Sequence, residues 1–174
     1  MRFLLIEKFS DTLQRERVCM SNLNFWADLG VNVHFCFNSC MSASTKIAIL
    51  GSGANGASIG ADLITAGLDV TLIEQWPAHV EAMRASGLTI EMPETSLHVE
   101  PRALHLCEVA TLREKFDVVL MLMKAYDSRW AAELIKPYLA DDGILAGVQN
   151  GMSTDTIAEV VGASRTMGTV LEIS

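Results

Sequence analysis

Glu74, Lys124 and Asn150 each stand at the end of a short apolar run, and the glycine-rich hexad Gly51-Ser52-Gly53-Ala54-Asn55-Gly56 ends another. These residue types suit a phosphorylated, hydroxyl-bearing ligand. Glycine lets a backbone approach phosphate oxygens, and free N–H groups at a helix start hold their charge. A lysine ammonium can meet a phosphate, a ribose hydroxyl or a carboxylate, and a carboxamide can both donate and accept.

The elements that must position these groups are legible around them. Lys46-Ile47-Ala48-Ile49-Leu50 reads as a buried strand running straight into the hexad. A G-x-G-x-x-G that follows a strand and opens a helix is the first turn of a dinucleotide-binding fold. In it Gly51 allows the tight turn, Gly53 admits a pyrophosphate, and Gly56 lets the helix pack closely on the strand. Ala57, Ile59, Leu63 and Ile64 then recur at helical spacing, and Gly67 stops the helix. Asp69 to Ile73 is a β-branched second strand. It delivers Glu74 roughly 20 residues past the glycines, where this fold places an acid for the adenosine ribose hydroxyls.

Further along, Pro77 to Ala85 reads as a helix with Val80 and Met83 on one face and Gly87 as its stop. Leu88–Met92 and Leu97–Val99 alternate and suggest a small antiparallel excursion. His98 and His105 in this region read as exposed strand histidines rather than catalytic bases. Leu104–Leu106 adds a strand and Val109 to Lys115 a helical turn. Asp117 to Met123 is a buried strand that carries Lys124 to its carboxyl edge, where open α/β sheets bind ligands. Taken alone, Lys124 is equally a solvated strand-end lysine. Asp127 or Ser128 caps a helix whose core face includes Trp130, Ala131, Leu134, Ile135 and Leu139, with Pro137 disturbing its last turn. Gly143 to Val148 is another buried strand, ending at Gln149-Asn150-Gly151. Asn150 is there either a ligand to ribose or nicotinamide or part of an Asn-Gly turn. Ser153 caps Thr154 to Val161, and Thr166 to Ile173 is the last strand.

Composition narrows the class. Half of the 174 residues are apolar and the net charge is −8. That charge disfavours nucleic acid and anionic membrane as partners. No apolar run approaches the ~18 residues of a membrane span, and Glu7-Lys8 interrupts the apolar start too early for a signal peptide. A cytoplasmic protein is the expectation.

The first forty residues differ from the rest. They hold Cys19, Cys36 and Cys40, five of the six phenylalanines, and charges that cancel. His34, Cys36 and Cys40 match no closed zinc spacing, and no metal site is expected. Residues 1–44 read as an atypical extension, with Met41 as a candidate true start, and 45–174 as the dinucleotide-binding domain.

From Lys46 to Ser174 the chain resembles the ketopantoate reductases (2-dehydropantoate 2-reductases). The marks are the glycine hexad, Gly67 to Ile73, Val119-Leu120-Met121-Leu122-Met123-Lys124-Ala125, Gln149-Asn150-Gly151-Met152 and Met167-Gly168-Thr169. The lysine after the third main strand and the Q-N-G-M turn are the most specific. The resemblance implies an α/β, Rossmann-type doubly wound parallel sheet, truncated before the family's C-terminal helical domain. It also implies NADP-dependent reduction of 2-dehydropantoate toward pantothenate and coenzyme A. By resemblance Gly51, Ser52, Gly53, Ala54, Asn55 and Gly56 cradle the pyrophosphate, Lys124 and Asn150 line the nicotinamide half, and Ser174 falls near a further cofactor contact.

Two departures qualify the resemblance. Where many members hold the NADPH 2′-phosphate with an arginine, this chain has Glu74-Gln75. A carboxylate there repels the phosphate and favours NAD, unless Arg84 and His79 compensate. Asn55 also stands where the family more often has an apolar residue. The proton-donating lysine and most contacts to the keto-acid substrate belong to the family's helical domain, so this chain alone is expected to bind cofactor without turnover. A missing partner domain leaves apolar surface that favours self-association. Two other readings stay open: a reductase of another 2-keto acid, and a non-catalytic dinucleotide-binding module.

Overall fold

The computed structural model describes residues 44–151 and 153–169, together with a short antiparallel ladder of Val18–Cys19 with Cys36–Phe37. The side chains of that ladder, and with them the histidine–cysteine set near residues 34–40, lie outside the described residues. So do Met41, Met152 and Ser174.

Six parallel strands form the main sheet: β1 (Lys46–Leu50), β2 (Asp69–Glu74), β5 (Arg102–His105), β6 (Phe116–Met121), β7 (Leu139–Val148) and β8 (Thr166–Thr169). Their spatial order is β8-β7-β6-β1-β2-β5. From β1 in the middle of the sheet the chain winds outward to β5, then returns to wind the other way from β6. β3 (Leu88–Glu91) and β4 (Ser96–Val99) form the separate antiparallel hairpin that the alternation suggested.

Alternation along β1 shows why both faces need helices. Ile47 and Ile49 enter one core with α1 (Ala54–Thr65) and α2 (Pro77–Ser86), through Ala57, Ile59, Leu63, Val80 and Met83. Ala48 and Leu50 enter the other with α3 (Ser128–Ile135) and α4 (Thr154–Val161), through Ala131, Ile135 and Ile157. Parallel sheets covered on both faces read as continuous apolar runs, as these strands do. Gly60 adds a feature the sequence did not single out. A Cβ there would lie 2.8 Å from a Leu72 methyl, so its absence lets α1 approach β2.

Several local expectations are corrected. The strand expected at Leu104–Leu106 runs Arg102–His105, and the helical turn expected from Val109 is a 3₁₀ segment over Leu106–Thr111. Glu108 pulls that turn forward by accepting from the His105 N–H. His105 is half-buried and pairs with Glu81 rather than facing water freely. Trp130 is not core: its ring stays partly exposed and its Nε1 donates to Asp127. Neither Asp127 nor Ser153 caps its helix with a side-chain hydrogen bond. The last strand is described to Thr169. Asp62 on α1 is buried with its Oδ2 unpartnered among the described residues, and burial pushes its carboxyl up to about 7.

Candidate functional site

The sheet reverses its winding between β1 and β6, and in open α/β sheets the ligand crevice lies at that point, outside the carboxyl ends of the strands. The glycine turn sits in it. Gly51 has φ +95°, a conformation open to glycine, and its N–H donates to the Ile73 carbonyl at 2.9 Å. A Cβ at Gly51 would lie 3.0 Å from the Met123 nitrogen, so the turn rests directly on the backbone that precedes Lys124. A Cβ at Gly56 would overlap the Gly51 carbonyl oxygen. Gly56 therefore accommodates the turn itself even more than the strand. Around Gly53 nothing lies within 4 Å of a built Cβ.

Gly53 is the N-cap of α1. The helix start has no side-chain cap and no acid in its first turn. Gly53 and Ala54 are exposed and Asn55 half-buried. Uncapped N–H groups and the positive helix end form a ready anion cradle. A pyrophosphate fits this arrangement, because Gly53 leaves open the space it needs.

Glu74 is where the sequence placed it, but its carboxylate is already engaged. Oε2 accepts from the Ser52 N–H at 2.7 Å and the Ser52 hydroxyl at 3.1 Å. Oε1 accepts from the Gln75 and Trp76 N–H groups at 2.8 and 3.1 Å. Four donors fill the roughly four acceptor sites of a carboxylate. Glu74 thus ties the glycine turn to the turn after β2. Gln75 beside it is exposed.

Of the two residues that could compensate for the absent arginine, only His79 reaches the turn, with Nε2 3.0 Å from the Ser52 carbonyl. Arg84 is committed elsewhere. Its guanidinium donates twice to the Ala103 carbonyl on edge strand β5 and pairs with Glu81 and Glu108.

Lys124 is exposed, and its ammonium has no hydrogen bond or ion pair among the described residues. Asn150 is exposed on the adjacent turn. Gln149, to which the sequence reading gave no role of its own, joins the two loops. It is buried, and its Nε2 donates to the Met123 carbonyl at 2.7 Å while its Oε1 accepts from the Ser128 hydroxyl. The apolar run before it, which ends inside the sheet, was the available signal. An open hollow of about 390 Å³ lies away from this crevice, along Arg102, Leu104 and Glu114, and takes no part in it.

A strand–glycine-turn–helix at the reversal point of a six-stranded parallel sheet defines a Rossmann-type nucleotide-binding protein. A sequence model described as "Ketopantoate reductase PanE/ApbA" matches residues 47–174. A 2-dehydropantoate 2-reductase of Lactococcus lactis is 31% identical over 119 residues, which cover 67% of this chain and 37% of that protein. One from Pyrococcus horikoshii is 34% identical over 132 residues, covering 73% and 42%. Among solved structures, a PanE/ApbA family ketopantoate reductase from Ralstonia eutropha superposes with a TM-score of 0.62 at 32% identity, over 72% of this chain and 40% of that one. A 2-dehydropantoate 2-reductase from Geobacter metallireducens, 23% identical, shares the fold with a TM-score of 0.62 over 74% and 46% of the two chains. The chain belongs to the ketopantoate reductase family, a family of oxidoreductases that use a nicotinamide dinucleotide. It spans about two fifths of the length of the curated relatives it matches. Among the described residues no helix is long and apolar enough to cross a membrane, and no His, Cys, Asp and Glu cluster could hold a metal.

Proposed function

We propose that residues 45–174 form the cofactor-binding half of an NAD(P)H-dependent, cytoplasmic reductase of 2-dehydropantoate, serving the route to pantothenate and coenzyme A. The observation that carries this is the seating of the glycine turn on the Met123 backbone, immediately before Lys124. In support of this reading, that contact brings the turn at the start of α1 beside the backbone leading to Lys124, whose ammonium has no partner among the described residues.

The bound dinucleotide would supply a hydride to the ketone carbon. In this reading, the N-terminal amides of α1 hold the pyrophosphate and Gly53 admits it. Glu74 keeps the turn in shape through Ser52. Lys124 approaches the nicotinamide ribose or the substrate carboxylate, and Asn150 orients the ribose or carboxamide. Reduction also needs a placed ketone and a proton donor. Those functions are assigned to the region of the family outside this chain.

Titration of the purified chain with NADH and NADPH, in the wild type and in Lys124→Ala, tests the reading. Saturable binding of a dinucleotide that weakens in the variant is expected. Binding of neither nucleotide to a folded chain overturns it. Turnover of 2-dehydropantoate by the 174-residue chain alone overturns the placement of the proton donor elsewhere.

A further inference from the structure

With the pyrophosphate at the start of α1, the adenosine half of a dinucleotide must lie across the end of β2, over residues 74–79. Three charged or titratable side chains could read its ribose there. Glu74 has its acceptor sites filled by Ser52, Gln75 and Trp76. Arg84 is held by Ala103, Glu81 and Glu108. His79 is left.

The contact of His79 with Ser52 fixes which ring nitrogen faces the carbonyl. A carbonyl only accepts, so the nitrogen facing Ser52 O carries the ring proton. In the neutral imidazole Nδ1 is then an acceptor, and it has no partner among the described residues. The ring is stacked against Trp76, with centroids 6.2 Å apart and planes at 21°. Trp76 is 66% exposed, a large aromatic face open beside a nucleotide crevice.

Resting on the dinucleotide reading above, we propose that His79, held in the Trp76–His79 stack, is the specificity residue for the adenosine ribose and selects a free 2′-hydroxyl. A hydroxyl can donate to Nδ1. A 2′-phosphate would set acceptor oxygens against that lone pair, at the strand end that carries the Glu74 carboxylate, and Arg84 is committed to Ala103, Glu81 and Glu108. The exposed face of Trp76 supplies a stacking surface for adenine, a contact tolerant of either ribose.

The test is calorimetric titration of the 174-residue chain with NADH, NADPH and reduced nicotinamide mononucleotide, for wild type, His79→Ala, His79→Arg and Trp76→Ala, with circular dichroism melts as the folding control. NADH is expected to bind at least about tenfold tighter than NADPH in the wild type. His79→Ala and His79→Arg should narrow that ratio by about fivefold or more. Trp76→Ala should weaken both dinucleotides by about tenfold, in line with loss of one base stack, and leave the mononucleotide unchanged. Should the His79 variants fail to fold, the wild-type ratio of NADH to NADPH affinity carries the test of ribose selection, and Trp76→Ala, whose ring is exposed, tests the adenine stack alone. NADPH binding as tightly as NADH in the wild type, or unchanged affinities and ratios in the variants, overturns this proposal while the dinucleotide reading stands. Absence of any nucleotide binding to the folded wild type overturns both.

Discussion

The side-chain amide of Gln149 donates to the Met123 carbonyl at 2.7 Å and so laces the loop that carries Lys124 to the turn that carries Asn150. Its other end accepts from Ser128 at the start of α3, and its backbone N–H donates to the Thr169 carbonyl on β8. Replacing Gln149 with leucine leaves the partly buried Met123 carbonyl short of a partner, while the Ser128 hydroxyl keeps the Ala125 carbonyl. The expected loss is about 1–3 kcal/mol of stability, read by urea unfolding, with weaker dinucleotide binding. Ser128→Ala should cost less, because its single proton is shared between Gln149 Oε1 and the Ala125 carbonyl.

Two glycines of the turn should fail in different ways. Gly53→Ala adds a methyl to open space at φ −62° and ψ −171°, which alanine adopts. The variant is expected to melt within a few degrees of wild type yet to bind dinucleotide poorly, because the methyl takes the phosphate's place. Gly56→Ala drives a methyl into the Gly51 carbonyl. It should lose several kcal/mol, on the order of other overpacked positions or more, and lose binding with the fold. Melting curves paired with nucleotide titrations separate the two outcomes.

Lys124 offers the complementary case. Its side chain is exposed and unpartnered among the described residues, so Lys124→Ala should change stability by less than about 0.5 kcal/mol. A fall in dinucleotide affinity without a shift in melting temperature is the expected pair of results. A large loss of stability would mean that the lysine serves the fold instead.

Asp62 links stability to pH. Its carboxyl is raised from 3.8 to about 7 by burial, so between those values the folded chain binds more protons than the unfolded one. The site is therefore without penalty below about pH 4. Its destabilising effect grows as pH rises and is complete above about pH 7. Asp62→Asn removes that dependence. The variant should match wild type near pH 4 and be more stable near pH 8 by an amount on the order of 2–4 kcal/mol. Denaturant unfolding at several pH values measures the difference. Because the comparison is between two chains, it cancels the opposite slopes of the salt-bridged Glu108, Glu114 and Asp141 carboxylates, whose affinity for protons is lowered.

The element order was legible because each signal is local. The run Lys46–Leu50, the hexad after it, the stops at Gly67 and Gly87, and the alternation of Leu88–Glu91 with Ser96–Val99 report on neighbours in the chain. Boundaries slipped where a side chain supplied an unforeseen hydrogen bond, as Glu108 does to His105. Trp130 was misread as core because helical spacing does not register an indole N–H that finds Asp127 at the surface.

What the sequence determined by itself was the kind of turn at Gly51–Gly56, the residues at the strand ends, and the family, since these depend on residue identity at fixed spacing. Whether those residues are available for a ligand was decided by tertiary structure. A carboxylate has only about four acceptor sites, and the fold brings Ser52 from 22 residues away to occupy two at Glu74. A guanidinium likewise serves only what it reaches, and packing of α2 on β5 gives Arg84 to the Ala103 carbonyl. His79 carries no motif and Gln149 had no role of its own within the Q-N-G-M turn, and it is the winding of the sheet that sets one against the glycine turn and the other between the Lys124 and Asn150 loops.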